Sequence, residues 1–325
     1  MTITDIFGIN SRDQFQDIAL KVFNFQFENS IVYRSFCQHL QKSPETVNQI
    51  SEIPYLPIEF FKKKEVISEG KKPQIIFESS GTTGTITSKH LVSDVSLYEK
   101  SFTKGFQLRY GAIKNYCILA LLPSYLEKGN SSLIYMVKTL IEKSEHADSG
   151  FYLQKGGELK NVLAELQKAN SKTLLIGVSY ALLDLIEESH IPLKNTIIME
   201  TGGMKGRRKE MVREELHKKL MEGFKQTAIH SEYGMTELLS QAYSNGNGIF
   251  KCPPWMGIAI RDAEDPLNLV KTGKNGGINI IDLANINSCS FIATQDLGRV
   301  YKDNSFEVLG RFDHSDIRGC NLLAL

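Results

Sequence analysis

Little in this sequence points to an oxidising compartment, a membrane or a nucleic acid. Its five cysteines (Cys37, Cys117, Cys252, Cys289 and Cys320) are odd in number, widely scattered and form no C-x-x-C pair. That argues against a disulfide framework and a structural zinc site, and makes a reducing cytoplasm the expected setting. Met1 to Phe7 lacks a basic stretch followed by an apolar one, so no signal peptide is expected. The longest apolar run, Tyr116 to Leu122, stops at Pro123 and is far too short to span a bilayer. A formal net charge of +1 gives no electrostatic case for nucleic acid. The one dense basic cluster, Lys205, Arg207, Arg208 and Lys209, reads as the solvated opening of a surface helix. There is no internal repeat, no low-complexity tract and no G-x-x-x-x-G-K-[ST] phosphate loop.

What is present is an ordinary globular composition, 42% apolar and 23% charged over 325 residues, enough for one large domain or two smaller ones. Helical spacing of Phe15, Ile18, Ala19, Val22 and Phe23, and again of Ile31, Tyr33, Phe36 and Leu40, predicts helix over 11–41. Ile53-Pro54-Tyr55-Leu56-Pro57 then reads as an extended entry to the main domain. Strands are expected over 116–122, 173–178, 196–199 and 227–230, alternating with helices over 131–143, 179–188 and 205–223. That alternation implies an α/β fold with a largely parallel sheet, whose ligand residues sit beyond the carboxyl ends of the strands. From about residue 250, short alternating runs such as Gly277 to Leu283 and Ser290 to Ala293 suggest a β-rich subdomain. The expected organisation is therefore a helical segment over 1–52, an α/β core over 53–249, and a β-rich subdomain with a tail over 250–325.

The richest stretch is Glu78-Ser79-Ser80-Gly81-Thr82-Thr83-Gly84-Thr85, which runs on to Ser88-Lys89-His90 and follows the β-rich Gln74-Ile75-Ile76-Phe77. Gly81 and Gly84 let the backbone approach an anion, the hydroxyls and N–H groups can wrap phosphate oxygens, and Lys89 adds positive charge. Alone, it also has a reading as a flexible Ser/Thr/Gly loop. Four further motifs follow in order: Thr201-Gly202-Gly203, then Tyr233-Gly234-Met235-Thr236-Glu237, then Thr294-Gln295-Asp296-Leu297-Gly298, then Leu309-Gly310-Arg311-Phe312-Asp313. Each alone has a plain structural reading as a turn or a surface ion pair.

Together, over roughly residues 54–325, these motifs resemble the adenylate-forming superfamily of acyl-CoA ligases, luciferase-like enzymes and adenylation domains. Ile53 to Pro57 with Phe60-Phe61-Lys62, Ser88-Lys89-His90 and Ile317-Arg318-Gly319-Cys320-Asn321-Leu322 are similar to the acyl-protein synthetase (LuxE-type) branch. That branch activates a fatty acid with ATP and holds the acyl group on its own cysteine for a partner reductase. The resemblance implies the large N-terminal domain of an adenylate-forming enzyme, with mostly parallel sheets flanked by helices plus a β-rich subdomain. Ser80, Thr82, Thr83 and Lys89 would grip the β- and γ-phosphates. Gly202 and Gly203 would lie against adenine, with Tyr233 on its other face. Thr236 would bond the α-phosphate and Glu237 would coordinate Mg²⁺. Asp296 would accept from the ribose hydroxyls and Arg311 would donate to the ribose. Gln295 stands where the family commonly has glycine.

The superfamily carries a mobile C-terminal lid, with a catalytic lysine, after the Gly-Arg-x-Asp motif. Here that motif ends at Asp313 and a dozen residues follow to Leu325, so the lid is expected to be missing. Cys320, with Arg318 two residues earlier, is then either an acyl-accepting nucleophile or a small residue tucked beside Leu322 and Leu323. Cys37, Cys117, Cys252 and Cys289 read as structural. His90 and His230 are either site groups or satisfied neighbours. His230 is read as ending its strand just before the Tyr233 motif, where it could line the acyl pocket. Alternative acyl acceptors are coenzyme A or a carrier-protein thiol. A non-catalytic nucleotide-binding subunit is the remaining reading.

Overall fold

The computed structural model describes residues 6–79, 86–123, 129–188, 192–202, 208 and 211–312. The chain divides into two compact units, residues 1–69 with 254–325, and residues 70–253. The helices at the N-terminus and the β-rich stretch after residue 253 thus belong to one unit.

In this first unit, α1 (Arg12–Asn29) and α2 (Ile31–His39) are separated by Ser30. The Ser30 N–H donates to the Gln26 carbonyl and closes α1, while its hydroxyl accepts from Tyr33 N and opens α2. The expected 11–41 helix is therefore two helices hinged on one capping residue. After β1 (Leu56–Pro57) and the single turn α3 (Phe60–Lys63), the unit continues as an antiparallel meander. Its strands are β11 (Met256–Arg261), β12 (Asn275–Asp282), β13 (Phe291–Val300) and β14 (Phe306–Arg311), and β1 pairs in parallel with β13. The core joins both chain regions: Tyr33 stacks on Phe291 at 5.9 Å and Phe23 meets both rings edge-on.

The second unit opens with an antiparallel hairpin, β2 (Ile75–Glu78) and β3 (Lys89–Val92). Its main sheet runs in the order β10-β9-β8-β7-β6-β4-β5, from strands β4 (Cys117–Leu121), β5 (Gly150–Phe151), β6 (Thr173–Gly177), β7 (Thr196–Thr201), β8 (His230–Tyr233), β9 (Ala242–Ser244) and β10 (Ile249–Lys251). Strands β4 to β8 are parallel, and β9 and β10 add antiparallel edges. The wholly buried runs Cys-Ile-Leu-Ala-Leu of β4 and Thr-Leu-Leu-Ile-Gly of β6 are what a sheet covered on both faces requires.

The helices of this unit are α4 (Val95–Tyr110), α5 (Ser132–Ser144), α6 (Gly156–Lys168), α7 (Ser179–Glu188) and α8 (Arg213–Phe224). Asp94 caps α4 at Ser96 N, and Gly111 ends it at φ +84°, a left-handed conformation that favours glycine. The expected 205–223 helix begins only at Arg213. Arg208, read as part of its solvated face, instead donates to Asp184 (3.0 Å from Nε) and Glu187 (2.7 Å) of α7. The expected strand over 227–230 lies at 230–233. Helices α4 and α6 were not anticipated. Among the described residues no helix is long and apolar enough to cross a membrane.

Candidate functional site

The hairpin β2–β3 is the frame of the Ser/Thr/Gly loop. Its neck is fastened by Ser79 N donating to Ser88 O (3.1 Å) and Ser88 N donating to the Ser79 hydroxyl (2.9 Å). The loop residues Ser80, Gly81, Thr82, Thr83 and Gly84 lie outside the described residues. Lys89 opens β3 with an exposed ammonium 3.8 Å from Glu78, whose second oxygen accepts from Asn130 Nδ2 at 2.9 Å.

The other strand ends of this unit carry the next motifs. Gly202 follows β7 at φ +69°, and its carbonyl accepts from the Ser179 hydroxyl at 2.7 Å. Gly203 lies outside the described residues. Tyr233 ends β8, buried, with its ring 5.8 Å from Phe250. Thr236 and the buried Glu237 sit in the turn that follows.

One bond ties two of these segments together. His90, wholly buried in β3, places Nδ1 2.9 Å from the Thr236 carbonyl. A carbonyl only accepts, so Nδ1 carries the proton and donates. The strand that leaves the Ser/Thr/Gly loop is thereby pinned to the Tyr233–Glu237 turn, 146 residues away. Of the two readings of His90, the described contact is a positioning one.

His230 stands elsewhere. It opens β8 rather than ending it, so it lies at the strand end opposite Tyr233. It lines a groove of about 350 Å³ with Tyr116, Lys172, Thr196 and Gln226, all at or just before the amino ends of β4, β6, β7 and β8. Its Nδ1 is 3.2 Å from the Tyr110 hydroxyl, and burial, helped by Arg109, pushes its pKa down to about 4. The sequence shifted the strand by three residues because Ser231 and Glu232 are polar, although the first is fully buried and the second half-buried.

In the other unit, Asp296 and Arg311 are register partners on β13 and β14, joined by an ion pair of 3.0 Å. Asp296 is buried and its N–H donates to the Thr294 hydroxyl; the Arg311 side chain is exposed. Beneath them the buried Arg261 donates to the carbonyls of Ile278 (2.8 Å) and Thr294, and to Asn279 Oδ1 (2.9 Å). Gln295 donates to Glu59 at 2.5 Å, a structural use for the residue that replaces the family's glycine.

Burial pushes the thiol of Cys37 up to about 12 and that of Cys117 up to about 11, and raises Cys289 as well. These are neutral, packed thiols. Cys320 lies outside the described residues. Among the described residues no group of three or more His, Cys, Asp or Glu is placed to hold a metal ion. Sequence reasoning passed over Glu232. It is a carboxyl inside β8 that takes the Thr201 hydroxyl at 2.6 Å and is raised by burial to about 7. Its only sequence signal is an acid directly before the Tyr233 motif.

A sequence profile for the family described as acyl-protein synthetase, LuxE, matches residues 5–324. No curated protein matches the chain in sequence. Among solved structures, an open conformation of 2-hydroxyisobutyryl-CoA ligase in complex with 2-HIB-AMP and CoA is similar at 10% identity and TM-score 0.70, over 93% of this chain and 70% of that one. ATP-bound MatB from Rhodopseudomonas palustris is similar at 16% identity and TM-score 0.55, over 73% of this chain and 47% of that one. An ATP-bound RpMatB-BxBclM chimera gives 16% and 0.56, over 75% and 49%. The chain thus spans about half the length of the MatB structures, and at these identities the likeness is one of fold.

Proposed function

The chain belongs to the acyl-protein synthetase (LuxE) family, and from that we propose that it activates a carboxylic acid, a fatty acid being the family's kind, as an acyl-adenylate and passes the acyl group to a thiol. The observation that most supports this reading is the His90–Thr236 bond. It joins the hairpin of the Ser/Thr/Gly loop to the Tyr233–Glu237 turn, as one triphosphate cradle requires.

In the first step a carboxylate oxygen attacks the α-phosphorus of ATP, and pyrophosphate leaves with the electron pair of the broken P–O bond. The protein's part is positioning and charge stabilisation. Ser80, Thr82, Thr83 and the N–H groups at Gly81 and Gly84 hold the β- and γ-phosphates, with Lys89 adding charge. Gly202, Gly203 and Tyr233 enclose adenine. Thr236 bonds the α-phosphate while His90 fixes its carbonyl. Asp296 takes the ribose hydroxyls, with Arg311 beside it. In the second step a thiolate attacks the acyl carbonyl and AMP departs, leaving a thioester. Cys320 is the in-chain acceptor, and coenzyme A or a carrier thiol are the external ones. No role is assigned to His230.

Glu237 is a single buried carboxylate in the turn that also carries Thr236, which fits Mg²⁺ shared with phosphate oxygens rather than a cage built wholly of protein. When bound, the ion would neutralise phosphate charge.

Exchange of labelled pyrophosphate into ATP tests the reading. Exchange is expected only with an acid and Mg²⁺ present, and Glu237→Ala is expected to lower it about 100-fold or more. Asp296→Ala is expected to raise the KM for ATP. Intact-protein mass spectrometry, with the acid alone and then with coenzyme A added, identifies the acceptor. A hydroxylamine-labile acyl adduct lost in Cys320→Ser, with exchange retained, marks Cys320. Tight ATP binding without acid-dependent exchange overturns the adenylating reading.

A further inference from the structure

Strand β8 turns Ser231 and Tyr233 to the face covered by α8, where Ser231 Oγ lies 3.4 Å from His217 Nε2. Across the sheet Ser231 pairs with Ser244 of β9, and Ser244 with Phe250 of β10, so the Phe250 side chain emerges on this same face. Both serines are small and wholly buried. That leaves room for the rings of Phe250 and Tyr233 to meet, with centroids 5.8 Å apart and planes tilted by 59°.

Arg213 is the first residue of α8, where the positive end of the helix dipole suits acids such as Glu214 and Glu215 and disfavours a cation. Its placement has another cause. Its Nε stands 3.6 Å from Oε1 of Glu200, a buried acid at the penultimate position of β7, and its guanidinium carbon lies over the Phe250 ring, 5.2 Å from the centroid. The same Glu200 oxygen is 3.5 Å from Nε2 of His217, one turn further along α8. Gly248 gives the arginine stem its space, since a Cβ there would sit 3.1 Å from Arg213 Cδ. A buried carboxylate needs a partner, and a planar guanidinium pairs and stacks at once where an ammonium is a compact point charge. Glu200, Arg213, Phe250 and Tyr233 thus follow one another in an unbroken row.

We infer that Arg213 is a positioning residue for the nucleotide: anchored by Glu200, it backs Phe250, and Phe250 sets the angle of the Tyr233 ring against which adenine lies. This rests on the proposed enclosure of adenine by Gly202, Gly203 and Tyr233, and deepens it by naming what holds the ring. Glu200 runs directly into Thr201 and Gly202, so one anchor fastens both walls of the adenine slot. The row acts on the base alone, because the phosphates and the ribose are assigned to other segments.

Arg213→Lys keeps a cation for Glu200 and loses the planar stack on Phe250. In pyrophosphate exchange it is expected to raise the KM for ATP about 5-fold, and to leave kcat, the KM for the acid and inhibition by tripolyphosphate, which has no base, within about 2-fold. Tyr233→Ala is expected to raise the KM for ATP about 10-fold or more. On that background Arg213→Lys should add less than about 2-fold, because its effect runs through the ring. An arginine that only stabilises the fold would lower the melting temperature without this selective, non-additive loss. A KM for ATP within about 2-fold of the parent in Arg213→Lys, or an effect undiminished in the double variant, overturns the inference while leaving adenylation standing. Should Arg213→Lys not fold, Phe250→Leu is read through the same cycle with the same expected and overturning results. Should no acid support exchange, adenylation fails, and calorimetric Kd values for ATP and for tripolyphosphate across the same variants decide the inference separately. A selective loss for ATP upholds it; equal losses, or a parent that binds no ATP, refute it.

Discussion

Glu232 and His230 stand two residues apart on one face of β8, and burial pushes them in opposite directions along the pH scale. Glu232 rises to about 7, chiefly by burial, with the Thr201 bond opposing and Glu200 adding. His230 falls to about 4. A raised carboxyl contributes stability below its unfolded pKa and loses it as pH climbs through about 7. A depressed imidazole contributes stability above its unfolded pKa and loses it as pH drops towards about 4. Between these limits the two slopes oppose each other. Glu232→Gln should therefore gain stability over the parent as pH rises from 5 to 7, by at most about 1.4 kcal/mol per unit. His230→Asn should gain over the parent as pH falls through about 6.5, by less, because its ring is partly solvated. Urea denaturation across this range reads both, and a Glu232→Gln difference that is flat with pH removes the raised carboxyl. Neither group was legible as a titrating one. The tetrapeptide His-Ser-Glu-Tyr has none of the apolar alternation of a strand, so the string Tyr233–Glu237 could be seen while the buried acid beside it could not. His90 was visible as a neighbour of the Ser/Thr/Gly loop, but its partner lies 146 positions downstream.

At the level of elements, the hairpin β13–β14 depends on a close approach at Gly298. A Cβ there would meet the Glu307 carbonyl oxygen at 2.5 Å and Ile278 Cδ1 at 2.6 Å. The register of the pair also shifts between Leu297 and Gly298. Gly298→Ala must push the strands apart just beyond Asp296 and Arg311. A loss of about 1–3 kcal/mol in stability and weaker ATP binding are expected, read by thermal denaturation and calorimetry. An unchanged melting temperature would show that the strands yield freely. Elements were legible where burial and hydrophobicity coincide. Strands β4 and β6 and helices α5 and α7 were anticipated within one or two residues. Helix α4 was not, because its buried stripe of Leu97, Tyr98, Ser101, Phe102, Gly105 and Phe106 is broken by a serine and a glycine. Among its described residues helix α6 buries Leu159, Leu163 and Leu166, behind a Gly-Gly opening that reads as loop.

On the scale of the whole molecule, the unit that carries Asp296 and Arg311 is built from both sides of an insertion of residues 70–253. Gln26 is its clamp. Its Nε2 donates to the carbonyls of Asn285 (3.0 Å) and Ile286 (2.9 Å) and to the Ser290 hydroxyl, and its Oε1 accepts from Ser290 N at 3.0 Å. Gln26→Leu keeps the volume and orphans these groups. A cost of about 1–3 kcal/mol for each group left without water is expected, so a sharply lower melting temperature should follow. A fall of under one degree would mean that solvent reaches them instead. The parallel sheet and the β-rich region could be anticipated from runs of residues. The union of the first helices with the last strands could not, since no local pattern records a contact 259 residues apart.

That division of one unit across the chain imposes an order on biosynthesis. The apolar faces of α1 and α2, with Phe23 and Tyr33, leave the ribosome before their partner Phe291 has been translated. At about 5–20 residues per second the intervening stretch takes roughly ten seconds or more. During that wait the nascent helices are a natural client for a chaperone that shields exposed aromatics.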